Sequence, residues 1–137
     1  MLPLRPGPRA PPPPAAPPAL AGRPVVGHLG FAGEIGHLSI DPQGKPCICG
    51  LRGCLATLVG APALVARARA LLAEHPDSVL AGTEPTLVSI EDAALAGDAL
   101  ALRLVNEAAE HLGIAVAGLL NLMNPSLVVL GGGLARL

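Results

Sequence analysis

All three cysteines of this 137-residue chain lie within eight consecutive positions, at Cys47, Cys49 and Cys54. An odd number of cysteines does not suit a disulfide framework, which uses an even count in secreted chains. His37 precedes the three cysteines, and three thiolates with one imidazole complete the tetrahedral shell of Zn²⁺ with no position left open. A closed shell predicts a structural zinc ion that orders the loop, not one that activates water. The alternative is three reduced thiols and a surface histidine.

Composition restricts the partners and the core that this chain can have. The formal net charge is −1, and the nine basic residues are spread along the sequence. We therefore expect no direct nucleic-acid contact from this segment, since such a surface needs clustered Lys and Arg. Phe31 is the only aromatic residue, so the core must consist of aliphatic side chains, chiefly Leu, Val and Ala. The high hydrophobic content of 51% excludes a wholly disordered chain.

One uncharged stretch, from Leu112 to Ala135, is long enough on paper to span a bilayer. Asn124-Pro125 and the glycines at 131–133 interrupt it, which favours a helix end, a short strand and a turn. The N-terminus lacks the continuous apolar segment of a signal peptide, because proline interrupts it repeatedly. These patterns predict a cytoplasmic protein with no membrane contact.

The chain divides into two regimes of composition. Residues 1–23 include nine prolines, which predicts a Pro-rich disordered tail outside the fold. Residues 24–137 have the composition of a folded domain. Within it, short apolar runs at 25–26, 37–40 and 127–130 predict strands, the last of the buried type.

Apolar spacing predicts helices between these strands. Helical spacing runs from about residue 54 to residue 73 with a break at Gly60, and Ser89 is predicted as the N-cap of the next helix. Asp98 is predicted to cap a long helix from Ala99 to just before Asn124. The order of strand, helices and strand indicates an α/β fold. His75 and His111 are interpreted as a loop residue and an exposed helix residue.

Two motifs at a fixed separation resemble those of the ROK family, which comprises repressors, open reading frames and sugar kinases. Residues 34–37 are Glu-Ile-Gly-His, and residues 47–54 are Cys-Ile-Cys-Gly-Leu-Arg-Gly-Cys. The similarity continues more weakly to residues 131–133 and covers about residues 24–137. It implies the actin-like ATPase (ribonuclease-H-like) architecture, present as an incomplete C-terminal domain whose zinc loop is residues 37–54.

The resemblance also implies roles for individual residues. His37, Cys47, Cys49 and Cys54 would hold the zinc. Glu34 and His37 would bind a small sugar through its hydroxyls, with the metal orienting the imidazole. Gly131, Gly132 and Gly133 would form the turn on the nucleotide side.

The sequence departs from the family pattern in ways that bear on activity. Family kinases usually have Glu two residues after the last cysteine, where this chain has Ala56. The catalytic Asp and the first phosphate loop of the family belong to an N-terminal domain without a counterpart here, so no catalytic residue can be named. We therefore expect this chain to be a piece of a longer ROK protein.

Three functions are compatible with the sequence. The first is the zinc-containing, sugar-binding portion of a ROK transcriptional regulator, which Ala56 favours. The second is the C-terminal part of a glucokinase-like, ATP-dependent sugar kinase, in which case ATP and Mg²⁺ would be further cofactors. The third is a truncated frame without independent activity. A full-length protein of this family would be expected to form homo-oligomers.

Overall fold

The computed structural model of the protein describes residues 18–132. Contacts divide the chain into two compact units, Met1–Glu34 and Ile35–Leu137. Glycine 133, one of the three predicted turn glycines, lies outside the described residues.

The regular structure in the described part of the first unit is a short hairpin of two strands, each two residues long. Strand β1 (Ala19–Leu20) pairs antiparallel with β2 (Arg23–Pro24). The connecting residues Ala21 and Gly22 both have positive φ, 50° and 75°, as the tightest hairpin turns require. The hairpin therefore extends across the predicted boundary between tail and domain at residue 23.

The second unit is mainly helical. A 3₁₀ turn (Ile35–His37) opens it, and a second 3₁₀ turn (Leu72–Glu74) follows α2. The four α-helices are α1 (Ala56–Val59), α2 (Ala61–Leu71), α3 (Leu87–Leu95) and α4 (Ala99–Met123). Gly60 separates α1 from α2, and Pro62 lies in the first turn of α2, where its missing N–H costs nothing. The predicted helical stretch and its break are thus confirmed.

The ends of α3 and α4 test the predicted caps. Thr86 is the N-cap of α3 and forms a capping box with Ser89, so the prediction of Ser89 as the cap was wrong by three residues. Ser89 occupies the third helical position, where its hydroxyl accepts from the Thr86 backbone N–H. The prediction for α4 is confirmed at both ends, since Asp98 caps it and Asn124 ends it in the left-handed conformation.

The core is made of aliphatic side chains where α2, α3 and α4 pack together. Nine buried residues form one cluster, and all are Leu, Ala or Ile: Leu64, Ala68, Leu71, Leu80, Ile90, Ala93, Leu100, Ala101 and Leu104. Phe31 is 74% exposed and takes no part in the core. No helix within residues 18–132 has the length and apolar character needed to cross a membrane.

The three predicted strands do not form. Residues 25–26 follow β2 without pairing as a strand, and His37 belongs to a 3₁₀ turn. Within 37–40, Ser39 makes only an isolated bridge to Cys54. Residues 127–130 have no regular structure, and Leu127 and Val129 are about three-quarters exposed. A strand forms only against a neighbour that satisfies its backbone groups, and the described residues hold no long strand to pair with.

Asp98 joins α4 to the loop that precedes α3. Its Oδ1 accepts from the Ala101 backbone N–H at 2.9 Å and from the Ser78 hydroxyl at 3.0 Å, and its Oδ2 accepts from the Val79 N–H at 2.9 Å. Partial burial raises the pKa of Asp98, but these hydrogen bonds outweigh it and hold the pKa below the usual value. The carboxylate therefore stabilises the fold where it is ionised.

We expect Asp98→Asn to lower the free energy of unfolding by about 1–3 kcal/mol at pH 7, since a charge-assisted cap is weakened. Because the folded-state pKa is depressed, this contribution is complete above the unfolded pKa of Asp and is lost as pH falls through the folded pKa. The difference between wild type and variant should therefore shrink in acid. Urea unfolding at several pH values measures it, with the exposed Asp92→Asn as control; a penalty that stays constant in acid would contradict the assignment.

Candidate metal centre

The loop between the first 3₁₀ turn and α1 brings the predicted metal ligands together. Its two arms are joined by isolated bridges, Ser39 to Cys54 and Pro46 to Arg52. At the tip, the Cys47 N–H donates to the Leu51 carbonyl at 2.8 Å. These contacts therefore bring the part of the loop that contains Cys47 beside the part that contains Cys54.

Two glycines make these turns possible. Gly50 and Gly53 have φ of +91° and +58°, which L side chains rarely adopt. Gly53 is also the point of closest approach in the loop, because a Cβ there would lie 1.6 Å from the carbonyl oxygen of Asp41. That packing excludes any side chain at position 53.

The four candidate ligands converge on one point. The ligand atoms of His37, Cys47, Cys49 and Cys54 all lie within 4.8 Å of one another. His37 Nδ1 is 3.4 Å from Cys47 Sγ, and Cys49 Sγ is 3.5 Å from Cys54 Sγ. One ion could therefore contact all four atoms. Three sulfurs and one imidazole nitrogen form a soft donor set that suits zinc and leaves no ligand position open.

The cysteines differ in environment. Cys54 is buried and Cys49 is exposed. Burial, followed by the neighbouring thiols of Cys49 and Cys47, raises the pKa of Cys54 to about 12. The Leu51 backbone N–H, assisted by the neighbouring thiols, lowers the pKa of Cys49 despite some desolvation. In the metal-free protein Cys54 thus keeps its proton, and a bound divalent ion would displace it.

The metal loop, residues 37–54, is attached to the helical part of the unit at its last candidate ligand, Cys54. Leu55, adjacent to Cys54, is 2% exposed and belongs to a second buried cluster with Val59 and Ala115 of α4. Its N–H donates to the Leu38 carbonyl at 2.9 Å. The Thr57 hydroxyl donates to the Cys54 carbonyl at 2.7 Å, a contact that the sequence motif did not indicate. The position of Cys54 is therefore fixed from the helical side.

The remaining predicted site residues lie elsewhere along the chain. Glu34 is exposed and is the last residue of the first unit. Gly131 and Gly132 have open space around them, and Gly132 has a φ of +86°. Ala56, the first residue of α1, lies beside the Glu-Ile-Gly-His motif, because a Cβ on Gly36 would be 3.6 Å from the Ala56 Cβ.

Comparison with known proteins gives consistent matches over most of the chain. A family model described as the ROK family matches residues 19–137. A glucokinase from Halalkalibacterium halodurans is 40% identical over 121 residues, which cover 84% of this chain and 37% of the relative. The chain thus spans little more than a third of that relative's length.

Two solved structures resemble this chain closely. One is a ROK family transcriptional regulator, a homologue of the Escherichia coli Mlc protein, with a TM-score of 0.79 and 38% identity over 85% of this chain and 30% of that structure. The other is a ROK hexokinase from Thermus thermophilus, with a TM-score of 0.68 and 39% identity over 85% of this chain and 36% of that structure. A regulator and a kinase therefore both contain a segment similar to this chain.

We expect the purified chain to contain about one equivalent of zinc, measured by inductively coupled plasma mass spectrometry. Cys49→Ser should lose most of it, and because Cys49 is exposed the change leaves no cavity. His75→Ala, outside the cluster, is the matched control. Helical circular dichroism should persist in Cys49→Ser, since the α2–α4 core does not include the loop. Less than a few tenths of an equivalent in the wild type, unchanged by Cys49→Ser, would refute the metal centre.

Proposed function

The chain belongs to the ROK family, and we propose that it forms the zinc-containing, sugar-binding part of a ROK transcriptional regulator. Its fold is mixed α/β, a portion of the actin-like ATPase fold of that family. The observation that carries the proposal is the convergence of His37 with Cys47, Cys49 and Cys54 within 4.8 Å.

The orientation of His37 supports a role in both metal and sugar binding. Its Nδ1 faces the sulfur of Cys47 at 3.4 Å, so Nδ1 is the nitrogen that would bind the metal. A metal ligand at Nδ1 leaves the proton of the neutral ring on Nε2, which then donates to an acceptor such as a sugar hydroxyl. Zinc would thus set the tautomer and the direction of the ring without entering any reaction.

Glu34 is proposed as the second sugar ligand. It precedes His37 by three residues in the motif and is exposed. An ionised carboxylate has two acceptor oxygens and can accept hydrogen bonds from two neighbouring hydroxyls of a sugar ring. Acceptor and donor together suit a polyhydroxylated ligand, which offers both kinds of partner.

Ala56 supports the regulator over the kinase. Its methyl group lies beside Gly36, within the motif that contains the proposed sugar ligands, where family kinases usually have a carboxylate. A methyl group cannot accept a hydrogen bond from a sugar hydroxyl, so one contact that aligns a sugar for phosphoryl transfer is missing.

The alternative function is the C-terminal part of a ROK sugar kinase, favoured by the 40% identity to a glucokinase. In that case Gly131 and Gly132, whose surroundings are open, would let a nucleotide approach the backbone, with ATP and Mg²⁺ as cofactors. Genomic context separates the candidates: an upstream helix-turn-helix supports the regulator, whereas an upstream glycine-rich phosphate loop supports the kinase. A truncated frame with no activity of its own is the third possibility.

We expect saturable binding of at least one hexose or N-acetylhexosamine by the zinc-loaded chain, measured by isothermal titration calorimetry. Glu34→Gln should weaken it about tenfold, the effect of one charge-assisted hydrogen bond, while zinc content stays unchanged. His37→Ala should lose both sugar and zinc. His75→Ala is the control. Sugar affinity that is unaffected by either motif substitution would exclude this site.

We also expect no ATP-dependent phosphorylation of glucose or another hexose by this chain. No acidic residue in it occupies a family catalytic motif, so the substrate hydroxyl lacks an assigned general base. A coupled ADP-release assay at saturating sugar and Mg-ATP checks the expectation. Turnover above the buffer rate that is lost in His37→Ala would favour the kinase instead.

A further inference from the structure

A cleft of about 260 Å³ opens between α2 and α4, beside the metal loop. Its lining is part apolar, with leucines from α1, α2 and α4, and part polar. The polar side chains are Lys45, Thr57, Arg67, Glu107 and His111. All of them belong to the second unit, and neither Glu34 nor His37 lines the cleft.

His111 gives this cleft an unsatisfied polar group. The residue lies on α4 and is half-buried, so its interpretation as an exposed helix position was wrong. Its Nδ1 is buried without a hydrogen-bond partner, the single side-chain atom in that state among residues 18–132. A buried polar atom without a partner destabilises the fold, so the site favours any ligand that pairs with it.

The charged groups around His111 leave donors in excess. The two oxygens of Glu107 accept from Arg67 at 3.1 and 3.3 Å and from Arg103 at 2.9 Å. A guanidinium has five N–H donors, so Arg67 retains three beyond these bonds. Lys45 is exposed and is the only lysine of the chain. Counting Lys45, Arg67 and Glu107, the lining has a net charge of +1.

We propose that this cleft binds a small tetrahedral oxyanion of the phosphate type, held by Lys45, Arg67 and His111. Free donors and a positive lining select an anion, and guanidinium and ammonium groups together match phosphate oxygens. The cleft lies below the range of about 300–1,000 Å³ that is typical for drug-sized ligands, which favours a small occupant.

Lys45 connects this cleft to the metal loop. Its carbonyl oxygen accepts from the Gly53 N–H at 2.8 Å, one residue before the ligand Cys54. An anion held between Lys45 and His111 would therefore join the metal loop to α4. The proposal does not depend on sugar binding, and either one can fail without the other.

The first test is calorimetric titration of the zinc-loaded chain with inorganic phosphate at constant ionic strength. We expect one saturable site, weakened about tenfold by Lys45→Met and by His111→Leu, each of which removes one hydrogen-bonding group. Arg69→Met and His75→Leu are the matched controls, because neither residue lines the cleft. Phenyl phosphate is titrated in parallel. An affinity equal to that of inorganic phosphate indicates a site for a phosphoryl group on a larger molecule, whereas no binding of phenyl phosphate indicates a site for free phosphate.

The single lysine allows a second test without substitutions. Bound phosphate should slow acylation of Lys45 by acetic anhydride, measured by peptide mass spectrometry with the N-terminal amine as internal reference. Absence of saturable phosphate binding, or equal weakening by the control variants, would overturn the proposal. So would a Lys45 acylation rate that phosphate leaves unchanged.

Discussion

The peptide bond between Cys54 and Leu55 connects the two parts of the second unit. The Cys54 sulfur points toward the other candidate ligands, and the Leu55 side chain is buried against α1 and α4. Much of the loop is exposed, including Ile48 at its tip, so it has little apolar burial of its own. Its conformation therefore depends on three features. Glycines permit the turns, backbone hydrogen bonds join the two sides of the loop, and the four candidate ligands converge on one point. The helical core, by contrast, is stabilised by aliphatic packing and by the side-chain caps of α3 and α4.

Local patterns in the sequence were enough to predict the helices and the ligand cluster. The 25-residue helix α4 was predictable because its apolar stripe, its Asp98 cap and Asn124 are all local signals. The cluster of four candidate ligands was predictable because three of them lie within eight residues. The α3 cap was missed because Thr86 and Ser89 both fit a cap, and the choice between them depends on the backbone. The three predicted strands were wrong because strand pairing depends on neighbours distant in sequence, which a local apolar run does not specify.

The cleft was beyond sequence reasoning for the same reason. Lys45 and His111 lie 66 positions apart, and no motif relates them. Only the packing of α4 against α1 and α2 brings the imidazole near the metal loop. His37 and Lys45 both belong to that loop, so a ligand bound at either residue contacts the same loop. In a regulator, two ligands that prefer the same loop conformation would favour each other's binding.

Residues 127–130 have a consequence for how long such a polypeptide persists in a cell. Leu-Val-Val-Leu is an apolar run with two β-branched residues, and it is exposed and pairs with no strand among residues 18–132. Unprotected hydrophobic segments of this kind are recognised by chaperones and proteases, which continuously remove incompletely assembled chains. A strand that pairs with residues 127–130, from the same protein or from another chain, would remove that exposure.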